Sequence, residues 1–168
     1  LIFARQFFNL SLWFLSFLSC LGIFGAAFLV EGFAFVGGQS IALESRVLTT
    51  SLTALMFPYI ALVSWAAVAQ GILNTYRIFW VSALTSIFLN ISIIASALIF
   101  AQQLDEPSYA FCGGVLLGGL AQFVFQIPFV YRLGFRWRPD FRWGGGVKRA
   151  LRLLVPTLFG AGIYQINV

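Results

Sequence analysis

Four stretches of this chain, residues 7–30, 47–70, 78–101 and 109–131, contain no charged side chain. Each is long enough to cross the hydrocarbon of a bilayer, which takes about 20 apolar residues in a helix. A fifth stretch, residues 153–168, is uncharged to the last residue of the sequence. In lipid every backbone N–H and C=O needs a partner, so spanning segments are helices unless strands close into a barrel. Barrel strands alternate lipid-facing and lumen-facing side chains over about ten residues, and no such alternation runs through these stretches. The sequence therefore reads as all-α, a polytopic membrane helical bundle with about five transmembrane helices.

The charges sit between the stretches, and their distribution carries the topology. Charged residues make up only 9% of the chain, against about 25% in soluble domains. Arg5 precedes the first stretch; Glu31, Glu44 and Arg46 follow it; Arg77 separates the second from the third; Asp105 and Glu106 separate the third from the fourth. Arg132, Arg136, Arg138, Asp140, Arg142, Lys148, Arg149 and Arg152 lie between the fourth and fifth. Assigning successive connections to alternate sides puts nine of the ten Lys and Arg on one side. The positive-inside rule makes that side, with Arg5, Arg77 and residues 132–152, cytoplasmic.

The net charge of +5 therefore does not mark a nucleic-acid partner. In residues 132–152 the basic side chains interleave with Phe135, Trp137, Phe141 and Trp143, which suits aromatics at headgroup depth and cations facing anionic lipid. Membrane lipids are the expected partners. The run Gly144–Gly146 interrupts this segment, and Val147–Leu154 reads as a short amphipathic lead-in to the last span. Residues 1–143 are expected to form part of an N-terminal bundle with four transmembrane helices. Residues 144–168 are expected to supply a hinge and the start of a second bundle. The chain begins at Leu1 and ends at Val168 inside an apolar run, so it reads as a piece of a longer protein. Residues 1–4 lack the basic start and small-residue cleavage site of a signal peptide.

The chemistry available is narrow. There is no histidine, and Cys20 and Cys112 lie in apolar stretches; no metal site, disulfide framework, phosphate-binding loop or nucleophile elbow is legible. No enzyme, metal or cofactor is expected. The spans do carry packing signals. Gly113, Gly114, Gly118 and Gly119 set small residues four apart, the spacing that lets membrane helices approach closely; Gly22 and Ala26 repeat it weakly. Pro58 falls mid-span, where a missing N–H predicts a kink; Pro128 lies near a span end and Pro156 in the first turn of the last span. The uncharged polar groups are Asn74 at a helix end, Asn90 mid-span, Gln122 and Gln126 at i, i+4 on one face, and Gln165 and Asn167 in the last span. They can tie helices together or line a polar cavity.

Several short blocks, in order, resemble the MurJ (MviN) lipid II flippases. They are Met56–Ile60, Gly71–Thr75, Leu89–Ser92, Gly118–Gln122 with Gln126–Pro128, and Pro156 with Gly160 and Tyr164–Asn167. The resemblance covers the whole chain. It implies the third to seventh helices of the two-bundle fold shared with multidrug and oligosaccharide-lipid exporters. The direction that family gives its third helix agrees with the charge count. Its headgroup-binding arginines and its sodium-site acid would lie outside this chain. Where the family often has prolines before Asn90, this sequence has Ser82 and Ser86, which predicts a straighter third span.

The function the resemblance implies is translocation of lipid II, the undecaprenyl-diphosphate-linked peptidoglycan precursor, across the bacterial inner membrane by alternating access. The protein would be multi-pass, a monomer, and coupled to the membrane potential or to a sodium ion bound outside this chain. From this half, Asn90, Gln122 and Gln126 are the expected cavity residues, and Pro58, Gly114 and Gly118 the expected packing or kink residues. Two other classes are open: an exporter of another polyprenyl-linked sugar or of cationic drugs, and a membrane scaffold without transport. Acids inside the spans would favour a cation cargo, and these spans have none.

Overall fold

The computed structural model describes residues 2–36 and 43–135, and beyond them positions 145–146, 148–149, 152–154, 156–157 and 159, all helical. Four long helices follow in chain order: α1 (Ile2–Val36), α2 (Leu43–Thr75), α3 (Phe79–Phe100) and α4 (Ser108–Arg132). All four are long and apolar enough to cross a membrane. Of the expected fifth span only Leu153, Leu154, Pro156, Thr157 and Phe159 are described, with Thr157 Oγ1 donating to Leu153 O at 2.9 Å as in a helical turn. Gly145 and Gly146 are helical; Gly144 and residues 136–143 lie outside the described residues.

The helices outrun the uncharged stretches. At 1.5 Å per residue, the 35 residues of α1 and 33 of α2 extend to about 50 Å each, well beyond the ~30 Å hydrocarbon. Glu31, Glu44 and Arg46 are therefore carried on helical extensions, where the sequence pattern had suggested a loop. An α-helix satisfies its backbone in lipid and in the headgroup region alike, so leaving the hydrocarbon does not end it. Both α2 and α4 continue through their prolines, Pro58 and Pro128.

The turns make the helices run up and down. α1, α3 start, and α2, α4 finish, at the end that carries Arg5, Arg77 and Arg132, called here the basic end; Glu31, Glu44, Asp105 and Glu106 lie at the far end. α3 packs antiparallel along α4, α4 lies parallel to α2, and α1 packs antiparallel along α2. α2 and α3 meet closely only near their turn. The lateral order is thus α1, α2, α4, α3.

Glycines decide how close these helices come. A Cβ on Gly114 would fall 2.8 Å from Ile93 Cα and one on Gly118 2.9 Å from Leu89 Cα, so α3 and α4 touch backbone to backbone. Gly119 turns the other way and receives the Tyr59 ring and Leu62 of α2. Gly22 of α1 is covered by the Phe57 ring, which leaves no room for a Cβ, and Ala26 one turn on is 2% exposed. Membrane helices have no hydrophobic drive toward one another, and this close packing takes its place.

Candidate functional site

Polar side chains inside the bundle form a ladder where α2, α3 and α4 meet. Ser82 Oγ donates to Asn74 Oδ1 at 2.9 Å, and Thr85 Oγ1 donates to Ser82 O at 2.6 Å. Gln122 Nε2 then crosses from α4 to donate to Thr85 O at 3.0 Å, and Gln126 Nε2 donates to Gln122 O at 3.2 Å. The i, i+4 spacing places both glutamines on the buried face of α4, Gln126 at 0% exposure. Its Oε1 meets no donor among the described residues. Nearer the far end, Ser96 Oγ donates across the same interface to Ala110 O at 2.6 Å. None of these groups is ionisable at neutral pH; the ladder can donate and accept hydrogen bonds and orient dipoles.

Asn90 does not join the ladder. Thr85, Leu89 and Ser96 face α4, whereas Asn90 is exposed on another face of α3. The structure thus brings Gln122 and Gln126 together and leaves Asn90 apart. Pro58 lies beside Phe57, the ring that covers Gly22, and Gly114 and Gly118 form the α3–α4 contact. Arg132 ends α4; Lys148, Arg149 and Arg152 are helical and exposed; Arg136, Arg138 and Arg142 lie outside the described residues, as do Gln165 and Asn167. No cluster of metal-ligating side chains occurs among the described residues.

Of the two serines before Asn90, Ser82 and Ser86, the first is part of the ladder. Ser82 is buried and its hydroxyl ties α3 to Asn74 of α2, while α3 stays continuous. Sequence reasoning passed over Asn9, which is 1% exposed, as well as Thr85. The signal for Asn9 was an amide one residue from an aromatic in the opening turns of a span; for Thr85 no pattern along one helix could name a glutamine on another.

The basic end is filled by an apolar cluster drawn from all four helices: Phe8, Ala69, Ile72, Leu73, Val81 and Val130, with Phe135 just past α4. Phe8 stacks on Phe123 at 6.3 Å between centroids and meets Phe135 edge-on at 6.0 Å. Among these rings lies an apolar cavity of about 200 Å³, bordered by Leu12, Trp65, Phe123 and Ile127. Trp65 Nε1 is buried there with no acceptor among the described residues. In the far half, a broader groove of about 460 Å³ is lined, among the described residues, by α2, with Thr49, Thr53, Met56 and Ile60 in its wall.

Up-and-down spans, close glycine contacts and an uncharged polar ladder between the helices define a multi-pass, all-α membrane protein. Residues 2–168 match the family model described as "Lipid II flippase MurJ". The chain belongs to that family. It is 35% identical over 161 residues to the lipid II flippase MurJ of Burkholderia cenocepacia, covering 93% of this chain and 31% of the relative. It is 41% identical over 118 residues to the probable lipid II flippase MurJ of Haemophilus influenzae, covering 70% and 23%. With the probable lipid II flippase MurJ of Treponema pallidum it shares 36% identity over 154 residues, covering 89% and 28%. The chain thus spans less than a third of the length of these relatives.

Proposed function

We propose that this chain supplies four to five helices of a lipid II flippase of the bacterial inner membrane, with the basic end in the cytoplasm. The observation that carries the reading is the family match along the whole chain, residues 2–168. The interior chemistry fits it: uncharged hydrogen-bonding groups can meet sugar and peptide without holding them as an ion pair would. The lipid-linked precursor would pass its head through a central cavity while its polyprenyl tail stays in lipid, the two bundles rocking about that cavity.

In this reading the Gly144–Gly146 run separates the bundles. Asn90 takes the cavity-facing role, because an amide on the outer face of a mid-membrane helix is costly against hydrocarbon. Gln122 shapes the cavity from behind by holding α4 to α3, with Gln126 bonded to it one turn on along α4. Coupling to the membrane potential or to a sodium ion would reside in the rest of the protein.

The test is complementation. The full-length protein is expressed in a bacterium depleted of its own flippase, and lipid II is measured on the outer leaflet. Restored exposure and growth are expected; growth arrest with the protein folded in the membrane would overturn the assignment. Within a complementing protein, Asn90→Ala is expected to lower lipid II exposure with little change in thermal stability. Unchanged exposure would remove Asn90 from the cavity.

A further inference from the structure

Two helices end side by side at the basic end, and they end differently. After α4, Gly134 takes a left-handed conformation, φ +79°, and its N–H donates to Tyr131 O at 2.9 Å. Glycine is the usual occupant of that position because it has no Cβ to strain. After α2, the corresponding position is Arg77, φ +62°, the one non-glycine residue with positive φ among the described residues. Its N–H donates to Asn74 O at 3.0 Å, and the next N–H, of Ile78, reaches back to Leu73 O at 3.0 Å. These are the two bonds of a Schellman end. Glycine would close this turn with less strain, so the backbone alone gives no reason for an arginine here.

The surroundings of its side chain supply one. Arg77 is exposed, three residues before Trp80 in the first turn of α3. Trp80 is 56% exposed and meets Phe129 edge-on, centroids 5.1 Å apart. Over the same Phe129 ring lies the guanidinium of Arg132, 5.8 Å from its centroid. Neither arginine has an ion-pair partner among the described residues, and every described acid lies at the far end. Two guanidinium groups without an ion-pair partner among the described residues therefore share the basic end, Arg132 on the Phe129 ring and Arg77 three residues before the Trp80 that meets that ring, at the level where spanning helices leave the hydrocarbon. Guanidinium presents a fork of donors that matches phosphate oxygens, and tryptophan favours headgroup depth.

We propose that Arg77 and Arg132, together with Trp80 and Phe129, seat the phosphate of an anionic phospholipid at the basic end of the α3–α4 pair. The site binds a bilayer lipid and is independent of the cargo carried through the protein. A lipid held there braces the α2–α3 turn against the end of α4. The strain at Arg77 is the cost of placing a cation at that spot.

The experiment uses the full-length protein in detergent, titrated with equal amounts of phosphatidylglycerol and phosphatidylcholine. Bound lipids are counted by native mass spectrometry. Arg77→Gly relieves the left-handed strain, so its melting temperature without lipid is expected to equal or exceed that of the parent. Its preference for phosphatidylglycerol is expected to fall about fivefold, the effect of one cation at an anionic surface. Arg132→Gln leaves the α2–α3 turn untouched and is expected to produce a similar loss. Arg46→Gln, a cation removed at the far end, is the control and is expected to change nothing. If Arg77→Gly and Arg132→Gln keep the parent's lipid preference, or Arg46→Gln lowers it equally, the site does not exist.

Discussion

The two ends of this bundle are held by different means. At the basic end, side chains from all four helices meet, and Phe8 bridges a gap between α1 and α4 that their backbones do not close. Toward the far end the helices are joined in pairs. Gly114, Gly118 and Ser96 join α3 to α4, Gly119 joins α4 to α2, and Gly22 joins α1 to α2. Large rings can fill a gap of variable width, whereas backbone contact admits almost no adjustment. The α3–α4 pair is thus stiff and α4 is also tied to α2 at Gly119, whereas α1 reaches α4 among the described residues only through the aromatic filling.

The sharpest way to break the comparison is to wedge the rigid pair. In Gly114→Val the new side chain meets Ile93 Cα and Ser96 Cβ at under 3 Å, and neither can move without its helix. A loss of about 3 kcal/mol is expected, seen as a collapse of the melting temperature of the full-length protein in detergent. A melting temperature like the parent's would mean that the α3–α4 contact is not tight. Phe8→Ala tests the other end. Lipid can solvate the exposed apolar atoms, so the cavity term dominates and about 2 kcal/mol is expected. Spin labels at Phe28 and Phe111, on a background without Cys20 and Cys112, should show a broader distance distribution in this variant. An unchanged width would deny the rings their bridging role.

Smaller effects sharpen the picture within the ladder. Gln122→Leu removes the one side-chain bond from α4 to the backbone of α3 at this level, and about 1 kcal/mol is expected. Gln126→Met should cost less than about 0.5 kcal/mol or stabilise slightly. Its amide bonds only within its own helix, and its buried Oε1 has no donor to lose among the described residues. If the two variants melt alike, the ladder does not run through Gln122.

Much of this architecture was legible because lipid imposes two simple demands. Uncharged runs of sufficient length named the four helices, and the alternation of Arg5, Glu31, Arg77 and Asp105 between connections put their ends on the correct sides of the bundle. The four-residue glycine spacing was visible in the sequence, and Gly114 and Gly118 lie against the backbone of α3. Charge could not say where a helix stops once clear of the hydrocarbon, which is why α1 and α2 proved longer than their uncharged cores. The candidate site was legible only in part. The i, i+4 pair Gln122 and Gln126 could be placed on one face, but Asn90 falls on a different face of α3 from the residues that meet them. The lateral order α1, α2, α4, α3, which decides that, depends on how turns fold back and leaves no trace in periodicity. Nor does a sequence show that Arg77 sits where glycine would be easier.

The charge-free interiors of α1 to α4 have an electrical meaning. Moving one elementary charge through the membrane potential involves about 2.3 kcal/mol per 100 mV, but the cores of these helices, residues 7–30, 47–70, 78–101 and 109–131, hold no charged side chain to be moved. Within those cores the field has only the helix dipoles to act on. A charged side chain that crossed the middle of the membrane field in a voltage-driven cycle would have to come from outside these four cores.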